Sequence, residues 1–406
     1  MRQWHRFSLF TVFLLATCAA RADVITDWNR IALSVAASSG SPPAYRDMAL
    51  VNVAMFQCVN TIEPRYEPFK AKLAPAPEAS KEAAAAVAAA RLLARLHPEA
   101  APKVEAELKQ YLEKAADRAP GPAALSAGTA LGEKVAALVW DMRATDGADA
   151  ADSYRPRATP GKYVATAPVA FPMWPGVVPF TMKDGSQFRP GPPLELKSAE
   201  WAENYNEIKQ YGKASKKRTP EQLEVARFWL NTGPGTTFPI ALQLAAAKGL
   251  DVNESARLFA LLAMASSDAI VAVYDAKYHY EFWRPVTAIR NGDRDGNPKT
   301  ERDATWEPIG PTPMHPEYPC AHCIISAAAG TVLQSVFGTG VLPEFSLTSP
   351  TAPGVTRRWT RIEDYMAEPS NARIWAGIHY RFSTVVGEDM GRKIGDQAVK
   401  TYLRPL

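Results

Sequence analysis

Apolar residues recur three and four apart along most of this chain, and nowhere do they settle into strict alternation. "DWNRIALSVAAS" (27–38) and "YRDMALVNVAMFQCVNTI" (45–62) each place them on one face of a helix. The Ala-rich "SKEAAAAVAAARLLARL" (80–96) is a strong helix by propensity alone. Further helices are expected at about 101–116 and 122–146, each preceded by proline, which suits a first helical turn. Others are expected at about 197–213, 219–232, 237–249, 253–283, 320–337, 360–378 and 383–403. No strand-like run and no internal repeat is visible. The fold class expected is all-α, built from helical bundles.

Two stretches break the helical texture. Residues 155–193 carry nine prolines, with "FPMWPGVVPF" inside them, and residues 290–319 are rich in Asp, Gly and Pro. The aromatics argue against a disordered linker, and long loops inside compact domains usually serve function. The first of these is therefore expected to pack over or near a site. This divides the chain into N-terminal helices (23–150), a Pro-rich loop (151–196) and C-terminal helices (197–406). With 47% apolar residues among 406, a sizeable core is available to one large domain. A formal charge of +4 is small for this length, and no basic stripe interleaves with aromatics, so no nucleic-acid partner is expected.

Arg2, His5 and Arg6 precede the apolar run 7–18, and Ala20-Arg21-Ala22 precedes Asp23. That is the pattern of a signal peptide over 1–22, so the protein is expected to be secreted, to the periplasm or beyond the cell. A lipoprotein would use Cys18, for which Thr17 is a poor neighbour. No later segment holds 18 unbroken apolar residues, so no membrane span is expected. Once Cys18 leaves with the signal, Cys58, Cys320 and Cys323 remain in a compartment that permits disulfides. At most one intramolecular bond can form.

Three separated stretches place basic residues where helices meet loops. In "KYHYEFWRPVTAIR" (277–290), Lys277 and Arg284 are seven apart, which on one helix puts them on one face. In "MHPEYPCAHCIISAAAG" (314–330), a proline-ended loop feeds a small-residue helix whose first N–H groups suit an anion. In "ARIWAGIHYRF" (372–382), Arg373 precedes His379 by six.

The stretch "EYPCAHC" allows several readings. A helical turn of about 100° per residue brings Cys320 and Cys323 together and turns His322 away, which is awkward for a zinc knuckle. Ile324 after Cys323 rules out a haem-attachment motif. A redox pair would sit in a βαβ setting that is missing here. A structural disulfide from Cys58 to Cys320 or Cys323 is the plainest expectation. Lys277, Arg284, Arg373, His322 and His379 together are a set that suits a tetrahedral oxyanion. Arginine forks hold paired oxygens, lysine adds a point charge, one imidazole can bond the central atom and the other can move a proton.

On these residues the chain resembles the vanadium-dependent haloperoxidase and type 2 phosphatidic acid phosphatase superfamily, in its soluble haloperoxidase-like branch. "KYHYEFWRP" matches the first family motif, "ARIWAGIH" matches the spacing of the third, and "PCAH" matches the second at Pro319 and His322. Weaker likeness extends through 186–193 and 54–69. The resemblance implies two four-helix bundles in one domain, with the pocket in the C-terminal one. It implies that Lys277, Arg284 and Arg373 hold the equatorial oxygens of vanadate or phosphate. His379 would be the vanadium ligand or the phosphatase nucleophile, and His322 the general acid/base. Ala321 would offer a backbone N–H in place of a glycine's. Cys320 stands where the family has an oxyanion-binding serine, and losing that donor is worth about 1–3 kcal/mol of oxyanion binding. Ser383 stands where many members carry an imidazole-orienting aspartate, and His315 falls where members line a halide pocket.

Three functions follow as expectations. One is a vanadate-dependent haloperoxidase, with vanadate as cofactor and halide and peroxide as substrates, Lys277 polarising the bound peroxide. Another is a soluble acid phosphatase that works on a phosphoester through a phosphohistidine and needs no cofactor. The last is a non-catalytic secreted protein that binds oxyanions or partners.

Overall fold

The computed structural model describes residues 23–406 apart from 118–120 and 166. The expected signal peptide over 1–22 therefore lies outside the described residues. Thirteen helices carry the fold among the described residues. They are α1 (Val24–Ala36), α2 (Pro43–Ile62), α3 (Lys81–Leu96), α4 (Ala101–Ala116), α5 (Pro122–Arg143), α6 (Ala199–Lys209), α7 (Pro220–Phe228), α8 (Phe238–Lys248), α9 (Val252–Tyr280), α10 (Pro285–Arg290), α11 (Ala321–Phe337), α12 (Ile362–Trp375) and α13 (Arg381–Thr401). The all-α expectation holds. One small departure is an antiparallel hairpin of β1 (Phe345–Thr348) and β2 (Thr356–Trp359), whose four-residue strands are too short to show a period in sequence.

Local chemistry sets the helix ends. The Ser80 and Ser198 hydroxyls cap α3 and α6, and Asp251 and Glu254 close a reciprocal capping box at α9. Helices α1, α2, α3 and α5 pack as one group, and α9, α11, α12 and α13 as another, with α2 lying against α9 to join them. One hydrophobic cluster runs through both groups. Helix α9 is long and apolar enough to cross a membrane by composition, but 94% of its apolar window is buried inside the protein. It reads as the central core helix.

The most extensive helix packing is between α11 and α13. Gly387, Gly391 and Gly395 recur every four residues on α13. A Cβ on Gly387 would stand 2.7 Å from the Cys320 carbonyl oxygen, and one on Gly391 would overlap the Ile324 carbonyl. Small residues on α11, including Ala327 and Ala328, accept this approach. The helix that carries His322 is thereby fixed against its neighbour.

The Pro-rich loop is ordered along α9. Asp268, fully buried in α9, accepts hydrogen bonds from the Phe180, Thr181 and Met182 backbone N–H groups at 2.7, 2.6 and 3.2 Å. Arg189 grips Asp275 with two hydrogen bonds of 2.7 and 2.8 Å. The Ala170 N–H donates to the Met314 carbonyl at 2.7 Å and its carbonyl accepts from the Tyr278 hydroxyl at 2.6 Å, which sets Ala170 on the wall of the cavity described below.

Candidate active site

Lys277 and Arg284 do converge, but not on one helix face as the sevenfold spacing suggests. Helix α9 stops at Tyr280, and Glu281 caps it at a left-handed φ of 54°. Arg284 is extended, as the residue before Pro285 must be, and serves as N-cap of α10. The turn folds its guanidinium back toward Lys277. Both side chains are buried. The Lys277 ammonium donates to the Pro316 and Glu317 carbonyls at 3.0 and 2.7 Å. Burial, and then the Arg284 charge, hold its pKa well below the usual lysine value.

Residues 314–320 form the second wall. Cys320 is the N-cap of α11 and Cys323 its third residue, and the two are joined in a disulfide with Cα atoms 5.4 Å apart. The expected bond from Cys58 is not made: Cys58 is a free thiol buried in the middle of α2, within the N-terminal core. The N-cap-to-N3 geometry that turns Cys320 toward Cys323 decides the pairing. Both half-cystines are fully buried and so is the Cys58 thiol, so no exposed thiol stands among the described residues. The disulfide also removes the hydrogen that a serine hydroxyl would offer to an oxyanion.

Arg373 and His379 meet through a helix stop. Gly377 takes a left-handed φ of 75° just past α12. The Ile378 N–H returns to the Arg373 carbonyl at 3.1 Å and the Gly377 N–H to that of Ile374 at 2.9 Å, the paired closure of a Schellman motif. A Cβ on Gly377 would also crowd Trp306 at 3.0 Å. Gly377→Ala is expected to destabilise the protein by about 1–2 kcal/mol and to weaken oxyanion binding with it; thermal unfolding and orthovanadate calorimetry on the same variant check both.

His379 is oriented by a residue that the motif spacing does not reveal. Its Nδ1 lies 2.7 Å from Glu317 Oε1, and its Nε2 lies 3.2 Å from Arg284 Nη1. A guanidinium only donates, so Nε2 carries the lone pair and Nδ1–H donates to the carboxylate. Burial, then Arg284 and Lys277, keep the imidazole neutral, with a pKa well below the usual histidine value. Burial raises Glu317 to about 7 against the pull of Lys277 and Arg284. The Ser383 hydroxyl adjoins this carboxyl and lowers its pKa slightly, though Ser383 Oγ and Glu317 Oε2 are not aligned as a hydrogen bond. The signal in the sequence was an acid set between two prolines in an apolar loop.

The other two imidazoles are placed by carbonyls and cations. His322 Nε2 lies 2.9 Å from the Asn231 carbonyl, so it bears the hydrogen and Nδ1 is the basic atom. Burial and Arg373 hold this ring neutral as well. Arg284 Nη2 lies 3.1 Å from His315 Nδ1, which makes that atom an acceptor; its 3.2 Å approach to the Pro316 carbonyl is then a contact and not a hydrogen bond. The His315 ring packs 5.2 Å from Tyr274.

Arg373 is the least compensated charge. It is buried, donates from Nη1 to the Trp229 carbonyl at 2.8 Å, and its Nε has no partner among the described residues. Burial, then Arg284, lower its pKa to about 9. Three buried cations thus surround His379, and among the described residues Glu317 is the carboxylate whose charge supports Lys277 and Arg284. Buried charge of one sign calls for a bound ion of the other. Arg373, His379, His322, Ala321 and His315 line one cavity of about 480 Å³. Arg284 lines a second, of about 680 Å³, behind residues 311–314.

Known proteins show the same arrangement of helices. The family described as vanadium chloroperoxidase N-terminal domain matches residues 21–179, and the VCPO second helical-bundle domain matches 257–406. A vanadium chloroperoxidase of Curvularia inaequalis is 25% identical over 187 residues. That stretch is 34% of this chain and only 30% of the relative's length. A crystal structure of a bacterial vanadium-dependent iodoperoxidase superposes with a TM-score of 0.80 at 24% identity, covering 95% of this chain and 98% of that one. A holo-type bacterial vanadium-dependent chloroperoxidase gives a TM-score of 0.71 at 16% identity, covering 94% of this chain and 93% of that one.

The chain belongs to the vanadium haloperoxidase family.

Vanadate fits the donor set of this haloperoxidase-family site. The buried cations, the Arg373 Nε without a partner among the described residues and the His379 Nε2 lone pair are what an oxyanion with one nitrogen ligand would require. Cys320 is the departure. In the double variant Cys320→Ser, Cys323→Ala the serine restores a donor, and vanadate affinity is expected to rise about 10–150-fold, the range of one hydrogen bond to a charged group. Equal affinity by calorimetry would show that the N-cap side chain does not face the anion.

Proposed function

We propose that this chain is a vanadate-dependent haloperoxidase that oxidises halide with hydrogen peroxide. The observation that carries the reading is the buried cation cluster around a neutral imidazole whose unprotonated Nε2 accepts from Arg284 Nη1 and would turn that lone pair to a ligand. Lys277, Arg284 and Arg373 bind and neutralise the oxyanion, helped by the Ala321 N–H at the start of α11. His379 presents Nε2, held in that tautomer by Glu317. Bound vanadate would supply the Lewis acidity that activates peroxide. His322 Nδ1 takes up and returns the proton in the overall reaction of peroxide, halide and a proton to hypohalous acid and water. His315, between Arg284 and Tyr274, is placed to accompany the halide.

A phosphatase reading is favoured by one feature. Glu317 gives His379 the carboxylate partner that Ser383 cannot, so a phosphohistidine would be stabilised. Export through the N-terminal run 7–18 is part of the proposal, supported by the Cys320–Cys323 disulfide, which suits an oxidising compartment.

The test is calorimetric titration of the full mature chain with orthovanadate, with iodide oxidation by peroxide read on the same sample. Tight binding with triiodide formation supports the haloperoxidase. Tight binding without it, together with phosphoester hydrolysis, supports the phosphatase. No binding at all overturns both and leaves a non-catalytic protein.

A further inference from the structure

Two chambers meet the anion site, and one segment walls both of them. The first is aromatic, ringed by Tyr45, Trp229, Tyr274 and Tyr365, and it reaches Arg373, His379 and His322. The second is basic, lined by Arg284 and Arg290. Pro311, Pro313 and Met314 border both. Of these three, Met314 carries an oxidisable atom, its thioether sulfur.

Met314 is also the methionine most open to its surroundings. It is 49% exposed, whereas Met48, Met55, Met182, Met264, Met366 and Met390 are buried. Met142 and Met173 are half-buried, and neither lines either chamber. The backbone at Met314 is tied down on both sides. Its carbonyl accepts from the Ala170 N–H at 2.7 Å, and the next carbonyl, that of His315, accepts from Arg284 Nε at 3.0 Å. The residue thus stands one position from a group that holds an anion-site guanidinium. Any oxidant made at the site and leaving by either chamber passes Met314 before it reaches bulk water.

We propose that Met314 is a self-modification site, converted to its sulfoxide by hypohalous acid that the protein itself has made. This rests on the haloperoxidase reading. One thioether and one hypohalous acid give one sulfoxide, one halide ion and one proton. An S–O bond forms while the O–X and O–H bonds break. Sulfur loses two electrons, the halogen gains them and departs as halide, and the proton goes to water. Susceptibility of a methionine follows its exposure and its access to the oxidant, and Met314 leads on both counts. The change sets a polar sulfoxide where an apolar side chain walled both chambers.

The experiment uses the full mature chain loaded with orthovanadate, turning over peroxide with iodide and, in a separate run, with bromide. Halide oxidation is followed optically, and sulfoxide at each methionine is read by peptide mass spectrometry. A chain without vanadate, given the same peroxide and halide, sets the background. A parallel run contains an excess of an unfolded, methionine-rich polypeptide, too large for the chambers, which traps hypohalous acid in bulk. Met314 is expected to be oxidised about tenfold faster than Met142 and Met173, only when vanadate is bound, and to keep most of its sulfoxide in the presence of the trap. Met314→Leu nearly conserves volume, so halide oxidation should stay within about twofold while the early sulfoxide disappears. Met314 protected by the trap as fully as Met142 and Met173 overturns the proposal, because the oxidant then arrives from bulk. So does a rate at Met314 no greater than at those two, or one independent of vanadate. If neither halide is oxidised although vanadate binds, the haloperoxidase reading falls and takes the proposal with it, an outcome that the optical assay separates from the others.

Discussion

Arg373→Met should make the ligand-free protein slightly more stable and nearly abolish its affinity for tetrahedral oxyanions. The two effects have one cause. Arg373 is buried without a carboxylate, and burial lowers its pKa to about 9. A base whose folded pKa is depressed carries a folding penalty that is complete below that value and fades as pH rises above it. At neutral pH the penalty is fully present. Removing the charge relieves it, while the Trp229 carbonyl loses its 2.8 Å donor and offsets part of the gain. A net rise in Tm on the order of 1–4 °C is expected. Against this, the anion loses at least two charge-assisted hydrogen bonds, worth about 3–6 kcal/mol, or more than a hundredfold in Kd. Unfolding scans and vanadate calorimetry on one preparation decide it. A lower Tm with unchanged affinity would show that Arg373 is a structural residue.

Glu317→Ala should have the opposite sign on stability and the same sign on binding. The carboxylate supports the Lys277 and Arg284 charges and accepts from His379 Nδ1 and from the Tyr380 N–H at 3.1 Å. Without it, two buried cations lose their counter-charge, at a cost of about 3–5 kcal/mol. The imidazole loses the partner that fixes its tautomer, which for outer partners of metal-ligating histidines typically weakens affinity about 10–100-fold. Orthovanadate should raise the Tm of this variant. Glu317→Gln keeps an acceptor for Nδ1–H, so it should recover most of the affinity and little of the stability. Wild-type vanadate affinity in Glu317→Ala would remove Glu317 from the site.

The helices and the three basic stretches were legible because period and spacing are local properties. The role of Glu317 was not, because a fixed offset from His379 leads to Ser383 on α13, whereas the carboxylate arrives from another segment, 62 residues earlier in the chain. The same locality misled the pairing of Lys277 with Arg284. Seven residues on an unbroken helix share a face, yet Pro285 already forbids helical backbone at Arg284. The disulfide shows the reverse case. Cys320 and Cys323 are neighbours in any helix starting there, and that local geometry makes the pair while Cys58, buried in α2, stays a free thiol. The free Nε of Arg373 and the aromatic chamber beside it depend on what the loops cover, which no local pattern encodes.

The glycine ladder of α13 also says where this protein can change. Contact through Gly387, Gly391 and Gly395 leaves α11 no room to slide or tilt, so His322 and the Ala321 N–H hold their positions whatever sequence surrounds them. The opposite walls come from the 229–237 and 311–315 segments and from Ala170 on the long loop, which lie outside the α9, α11 and α13 packing. Side chains of those segments other than His315 can vary and reshape the chamber while the backbone carbonyls of Trp229, Asn231 and His315 go on holding Arg373, His322 and Arg284. The fold thus separates a fixed part from a part free to change, and new pocket shapes would arise first in the loops.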